Sequence, residues 1–297
     1  MFFGQLPRSD DVESESTSQP EKDGSITTRF LQLDDLHAAD ELRRAEGWNQ
    51  TLTDWRRLIE HQVNGCFAAE SDNRVVGTVT TTVHGGKVAW IGMMLVHRDY
   101  RRRGIGTRLM QASLGYLDSI GVSCVKLDAT PAGRPVYLQL GFQPQSVLHR
   151  WYRPGVHEAW TASGETVNWK RDFAVDIRLF GANRSVWCQS LSRGSNVVWE
   201  RDKEHVLGVG MVRPGSQASY IGPIVAHHDE AGCRIADKLS QQVGAAFWDI
   251  PDDNLAACAI AESLGFERVR ELYRMWRGDP VPERPMMQFA ITGPETG

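Results

Sequence analysis

Between residues 96 and 107 the chain reads Val-His-Arg-Asp-Tyr-Arg-Arg-Arg-Gly-Ile-Gly-Thr, three consecutive arginines followed by two closely spaced glycines. Gly104 and Gly106 allow the backbone to approach a ligand closely. A helix opening at that point leaves its first N–H groups pointing outward without intrahelical acceptors. With Arg101, Arg102 and Arg103 around it, such a nest suits a phosphate or pyrophosphate. The helix dipole contributes about 0.3–1 kcal/mol for an anion at a surface site, and each charge-assisted hydrogen bond about 1.5–3 kcal/mol. Further on, Tyr137-Leu-Gln-Leu-Gly141-Phe142 follows Asp128-Ala-Thr-Pro131-Ala-Gly-Arg-Pro135. The prolines fit the entry and first turn of a helix, where a missing N–H costs little.

The surrounding pattern supplies elements to hold these groups. Residues 88–96 (VAWIGMMLV) are almost continuously apolar, as expected of a central strand covered on both faces. Ile105, Leu109, Ala112 and Tyr116 then recur at helical spacing, and Val122–Asp128 reads as another strand, which together make a parallel βαβ unit. Upstream, residues 26–31 read as a strand and a helix runs through Leu36, Ala39 and Leu42. Gly47-Trp48-Asn49-Gln50 interrupts it, and Thr51-Leu-Thr-Asp54 opens a second helix as a capping box. Strands follow at 66–70 and 75–83.

The second half repeats the first. Trp90-Ile91-Gly92 matches Tyr220-Ile221-Gly222 at an offset of 130, and Leu140-Gly141-Phe142 matches Leu264-Gly265-Phe266 at an offset of 124. The organisation expected is a duplicated α/β domain with a mixed sheet. Residues 1–25 are expected to be a disordered tail, residues 9–25 holding a single aliphatic side chain, Val12, with 26–150 the first domain and 151–170 a connector. The second domain spans 171–278, and 279–297 form an extended C-terminal extension.

Composition removes several classes of function. Of 297 residues, 33 are basic and 37 acidic, for a net charge of −4, so there is no cationic excess for general nucleic-acid binding. No apolar stretch approaches the length of a membrane span. The five cysteines at 66, 124, 188, 233 and 258 are scattered and odd in number, as in a reduced, cytoplasmic protein. His227-His228 lacks further ligands at metal-binding spacing, and no metal site is expected.

Arg101 to Gly106 after Val96 and Tyr100, with Tyr137 and Gly141-Phe142 downstream, resembles the GNAT superfamily of N-acetyltransferases, although Arg98 stands where that pattern usually has Pro. EGWNQTLTDW and LDATPAGRPVY look like a bacterial subgroup with two GNAT domains in tandem, the second degenerate. The resemblance implies acetyl-CoA as the acyl donor and transfer to a primary amine of a small molecule, without nucleic-acid or membrane partners. It assigns the backbones of Met94, Leu95 and Val96 to pantetheine and the thioester carbonyl. Arg101, Arg102, Arg103, Gly104, Ile105, Gly106 and Thr107 would hold the pyrophosphate, and Tyr137 would protonate the departing thiolate. By the offset of 130, Gly104 and Gly106 become Arg234 and Ala236, and by that of 124 Tyr137 becomes Ala261, so one working site per chain is implied.

A primary amine is almost wholly protonated at pH 7, so something must take its proton. Many members of the family use a strand glutamate, and none occurs in residues 88–96. Asp128, Asp249 and Asp252 are the candidates, each also suited to capping a helix. Trp48, in the break between two helices, is the preferred acceptor-pocket aromatic, with Trp55, Trp90 and Trp248 as alternatives. A non-catalytic acyl-CoA sensor and a protein-lysine acetyltransferase are the alternative readings.

Overall fold

The computed structural model describes residues 25–156, 174–203 and 205–297. The expected N-terminal tail, apart from Ser25, and most of the expected connector lie outside these residues.

Local rules account for the first elements. Strand β1 (Thr27–Phe30) leads to helices α1 (Leu36–Ala45) and α2 (Leu52–His61). The capping box forms as read: Asp54 N donates to Thr51 Oγ1, and Thr51 N donates to Asp54 Oδ2 at 2.8 Å. The meander β2 (Phe67–Ser71), β3 (Arg74–His84) and β4 (Val88–Val96) precedes α3 (Ile105–Ser119), β5 (Cys124–Ala129), the short α4 (Arg134–Gln139) and β6 (Gln143–Arg153). The second half follows as α5 (Ala174–Phe180), α6 (Ser185–Ser192), β7 (Asn196–Asp202), β8 (His205–Arg213), β9 (Ser219–Ala226), α7 (Asp229–Ser240), β10 (Ala246–Pro251), α8 (Leu255–Ser263) and β11 (Glu267–Gly278). A last short strand, β12, spans Gln288–Ala290.

All strands join one 12-stranded mixed sheet in the order β1-β2-β3-β4-β5-β11-β6-β10-β9-β8-β7, with β12 on β9. Among the described residues only β4/β5 and β9/β10 are parallel. The halves exchange strands: β11 lies between β5 and β6, while β6 reaches across to β10. Helix α3 covers one face of the first half through Ile105, Leu109 and Leu117. On the other side α1 and α2 share a single apolar cluster with α5 and α6 of the second half, which brings the two halves face to face.

Two buried ion pairs lock the exchange. Arg274 on β11 grips Asp128 on β5 at 2.8 and 3.0 Å, and Arg150 on β6 grips Asp249 on β10 at 2.9 and 2.7 Å. The two arginines are 124 residues apart, the offset of the repeat, so each half supplies the cation for the other's aspartate. Burial alone would lower the pKa of Arg274; Asp128 reverses the effect and raises it. Cys66, Cys124, Cys188 and Cys258 are buried, Cys233 is half-buried, and all five are free thiols.

Candidate active site

Strands β4 and β5 pair only where Val88–Trp90 meet Cys124–Lys126. Both strands continue, to Val96 and Ala129, but they diverge, and no strand among the described residues fills the gap. A register shift against β3 accompanies the divergence, with Met93 at φ +47° and Thr78 Oγ1 donating to its carbonyl at 2.9 Å. Met94, Leu95 and Val96 lie along the opened stretch, with backbone groups facing a slot.

Beyond β4, Gly104 adopts φ +74°, which only glycine takes readily, and starts α3. No side chain caps α3, and a Cβ placed on Gly104 or Gly106 would meet nothing within 4 Å. The start of α3 is therefore uncapped, with open space around Gly104 and Gly106. The arginines divide their tasks. Arg101 pairs with Glu46 and donates to the Val96 carbonyl at 3.0 Å. Arg103 stacks over Tyr100, 5.3 Å from the ring centre, so it and Arg102 keep charges free of any carboxylate among the described residues.

The slot ends in a cavity of about 100 Å³ whose walls include Trp48, Asp128, Tyr137, Arg150, Arg270 and Glu295. Burial pushes the Tyr137 phenol up to about 12, so it stays protonated and able to donate at any ordinary pH. Its ring packs edge-on against Phe142 at 6.1 Å. Asp128 is at the cavity, but Arg274 occupies both of its oxygens. Asp249 is likewise held by Arg150 and accepts from the Tyr220 hydroxyl at 2.9 Å. It is wholly buried and is not among the groups lining the cavity. Asp252 sits apart from the cavity, against His149 Nδ1 at 2.8 Å. None of the three caps a helix; Asp128 and Asp249 are held in buried ion pairs, because burial demands a counter-charge, and Asp252 is held by His149. Trp48 lines the cavity, whereas Trp55, Trp90 and Trp248 are fully buried core residues.

Two groups escaped sequence reasoning. A bulge in β11 between Arg268 and Arg270 reverses the alternation of faces and turns Arg270 toward the cavity. There it lies 6.0 Å from the Trp48 ring with its Nε unpaired. The second is Glu295. The expected extension is no loose appendage: after β12 it folds back so that Thr292, Glu295 and Thr296 are buried. The only sequence signal is that Glu295 is the single charged residue between Met286 and Gly297.

Comparison with known families now bears on this geometry. Residues 30–142 match the model of the GNAT acetyltransferase family, and residues 173–290 match a second GNAT-domain model. The chain belongs to the GNAT superfamily. Its two domains stand in tandem, and proteins of the same build are known. A holothin acyltransferase of Pseudoalteromonas is 23% identical over 91% of this chain and 94% of its own length. An uncharacterised N-acetyltransferase of Bacillus subtilis is 25% identical over 62% of this chain and 67% of its own. A Pyrococcus horikoshii protein assigned as an acetyltransferase superposes with a TM-score of 0.78 at 24% identity, over 92% of this chain and 96% of that one.

The second GNAT domain has the corresponding slot, and the chain fills it itself. Strands β9 and β10 pair only from Ser219–Ile221 to Ala246–Trp248. Beyond that, β12 enters the gap along Ile224 and Val225 of β9. Trp248 Nε1 donates to the Phe289 carbonyl at 2.8 Å, and Ile291 N donates to the Asp249 carbonyl at 3.2 Å. Phe289 is wholly buried in the core of this domain. Helix α7 opens at Asp229 with His228 in the capping position that Gly104 holds in the first domain, His228 Nδ1 accepting from Ala231 N at 3.3 Å. Arg234, which the offset of 130 sets against Gly104, lies inside that helix and turns to Glu200 at 2.7 Å.

Proposed function

We propose that this chain is an acetyl-CoA-dependent N-acetyltransferase that acylates a primary amine of a small molecule by direct attack, both reactants being held together. The observation that supports this most is the contrast between the slots: the β4/β5 slot is open and ends at an uncapped helix start, whereas its duplicate is plugged. The open slot fits acetyl-CoA, whose amide-bearing arm needs a free strand edge and whose pyrophosphate needs clustered N–H groups and cations. Bound there, acetyl-CoA supplies an activated acetyl thioester.

The chain's own residues then have separable tasks. Backbone groups of Met94, Leu95 and Val96 align the arm. The turn from Arg101 to Thr107 holds the pyrophosphate. Tyr137, whose hydroxyl has no hydrogen-bond partner among the described residues, is the donor available to the departing sulfur. None of the five cysteines lines the cavity, and burial raises every one of their pKa values, which favours direct attack over a thiol relay. Alignment of two reactants can lower a barrier by about 7–11 kcal/mol. The Arg270 guanidinium, which pairs with no carboxylate among the described residues, favours an acceptor that carries an anionic group besides its amine, and the small cavity favours a small acceptor over a protein lysine. The relative named for acylating holothin extends over the whole tandem arrangement, in line with acyl transfer here.

Calorimetric titration of acetyl-CoA into the native protein and Gly104→Glu tests the reading. Micromolar binding that the substitution abolishes is expected, because glutamate places an anion where the pyrophosphate lies. Absence of binding by the native protein overturns it. A panel of amines, with and without a carboxylate, then identifies the acceptor through release of the coenzyme thiol.

A further inference from the structure

The segment that plugs the second slot continues into the first domain's cavity. After β12, Thr292 N donates to the Gly297 carbonyl at 3.0 Å and Gly297 N donates to the Gly293 carbonyl at 2.8 Å, closing a tight loop. Neighbours on several elements clamp this loop. Arg184 Nη1 donates to the Gly297 carbonyl at 2.7 Å, Arg213 Nη2 donates to the Thr292 carbonyl at 2.6 Å, and His84 Nε2 lies 3.1 Å from the Thr296 carbonyl. The loop lies against Gly92 in the middle of β4, and a Cβ there would fall 2.5 Å from the Glu295 Cα. No side chain fits on β4 at that point. The carboxylate missing from the strand is instead supplied by a residue laid on top of it.

We propose that Glu295, carried into the first domain by the segment that fills the second domain's slot, is the base that takes the proton from the acceptor ammonium. The proposal rests on the acetyltransferase reading above. Three observations support it. Glu295 lines the same cavity as Tyr137. The other carboxylate there, Asp128, has both oxygens occupied. Of the Glu295 oxygens, Oε2 accepts from Gln50 Nε2 at 2.8 Å and Oε1 has the Arg213 guanidinium no nearer than 3.9 Å, while the carboxylate also accepts from its own backbone N–H. It keeps room to accept a proton.

The step balances simply. An acceptor N–H bond breaks, its pair stays on nitrogen, and the proton joins a Glu295 oxygen. The freed pair forms the C–N bond to the acetyl carbon as the C–S bond breaks and its electrons leave on sulfur. Nitrogen's second lost proton ends on that sulfur, and Glu295 returns its own proton to water. Burial raises the pKa of Glu295 above the usual carboxylate range, which makes it a stronger base when ionised. Arg213 opposes that shift and Asp54 reinforces it. Arg150, Arg270, Tyr220, Asp128 and Tyr137 are the other ionisable groups around it.

The test compares native protein with Glu295→Gln, using methylamine, which is protonated at neutral pH, and hydroxylamine, which is not. Acetyl-CoA affinity is expected to be equal in the two proteins. The variant loses about 10²-fold in turnover with methylamine, in the range of one lost proton-transfer group, and keeps hydroxylamine turnover within about threefold of native. Equal losses with both acceptors, or none, overturn the assignment. Failure of native protein to bind acetyl-CoA overturns the underlying reading instead, and the two failures are thus distinct.

A thermal measurement decides independently of turnover, and it alone decides where neither probe is consumed. The raised folded-state pKa means that folding favours protonated Glu295. Its contribution is fully present below the unfolded value near 4.5 and is lost as pH rises through the folded value. At pH 7 the ionised side chain therefore costs stability, and Glu295→Gln melts higher than native, with the difference vanishing toward pH 4. A variant that melts lower than native at pH 7 shows that the carboxylate serves the fold, and overturns the proposal.

Discussion

Asp128→Asn provides the sharpest test of how the two halves are joined. The Asp128 side chain is 0% exposed and that of Arg274 3%, and the carboxylate receives Nε and Nη2 in parallel at 2.8 and 3.0 Å. An amide can accept one of these bonds but neutralises no charge. Arg274 is left cationic in the interior, over the face of Trp90 at 4.7 Å, with Lys126 also near that ring at 5.6 Å. Removing one member of a buried pair costs about 3–5 kcal/mol. For a chain of this size each kcal/mol moves the melting midpoint by about 2–4 °C, so a fall of roughly 6–20 °C is expected. Differential scanning calorimetry at pH 7 measures it. Asp128→Asn/Arg274→Met, which removes both charges, recovers most of the loss. An Asp128→Asn protein that melts with the native one, or a double variant no better than the single, refutes the view that this pair locks β11 against β5.

The other predictions concern the slots. Tyr137→Phe lowers kcat about 10²-fold and leaves acetyl-CoA affinity nearly unchanged, as steady-state kinetics beside calorimetry will show; unchanged turnover across the accessible pH range removes the role given to that hydroxyl. Phe289→Ala empties a wholly buried ring site in the second domain and costs about 3–5 kcal/mol by denaturant titration. Because the same segment carries Glu295, turnover by Phe289→Ala falls more than its acetyl-CoA binding does.

Much of the site was legible because short-range rules encode it. Gly104 had to be glycine to take a left-handed turn ahead of α3, and Thr51 and Asp54 capped α2 through bonds three residues apart. The apolar run of residues 88–96 marked a strand buried on both faces. The duplication was equally open to inspection, since Trp90-Ile91-Gly92 and its counterpart survive at a nearly constant offset. The same offset relates Arg150 to Arg274, and with hindsight that match was the trace of an exchange.

What the sequence by itself determined is the pair of GNAT units, the glycine- and arginine-rich turn of one, its loss from the other, and the place of Tyr137 downstream of that turn. Tertiary structure alone decided which carboxylates are free. Asp128, Asp249 and Asp252 look alike as strand-end acids, and only the partners brought by β6 and β11 show that all three are paired. It also decided that Glu295, about 200 residues from Gly92 in the chain, comes to rest on that strand. No periodicity or spacing encodes such a contact, because its stability depends on a slot that forms only when β9 and β10 diverge and on a glycine that leaves room for the returning backbone.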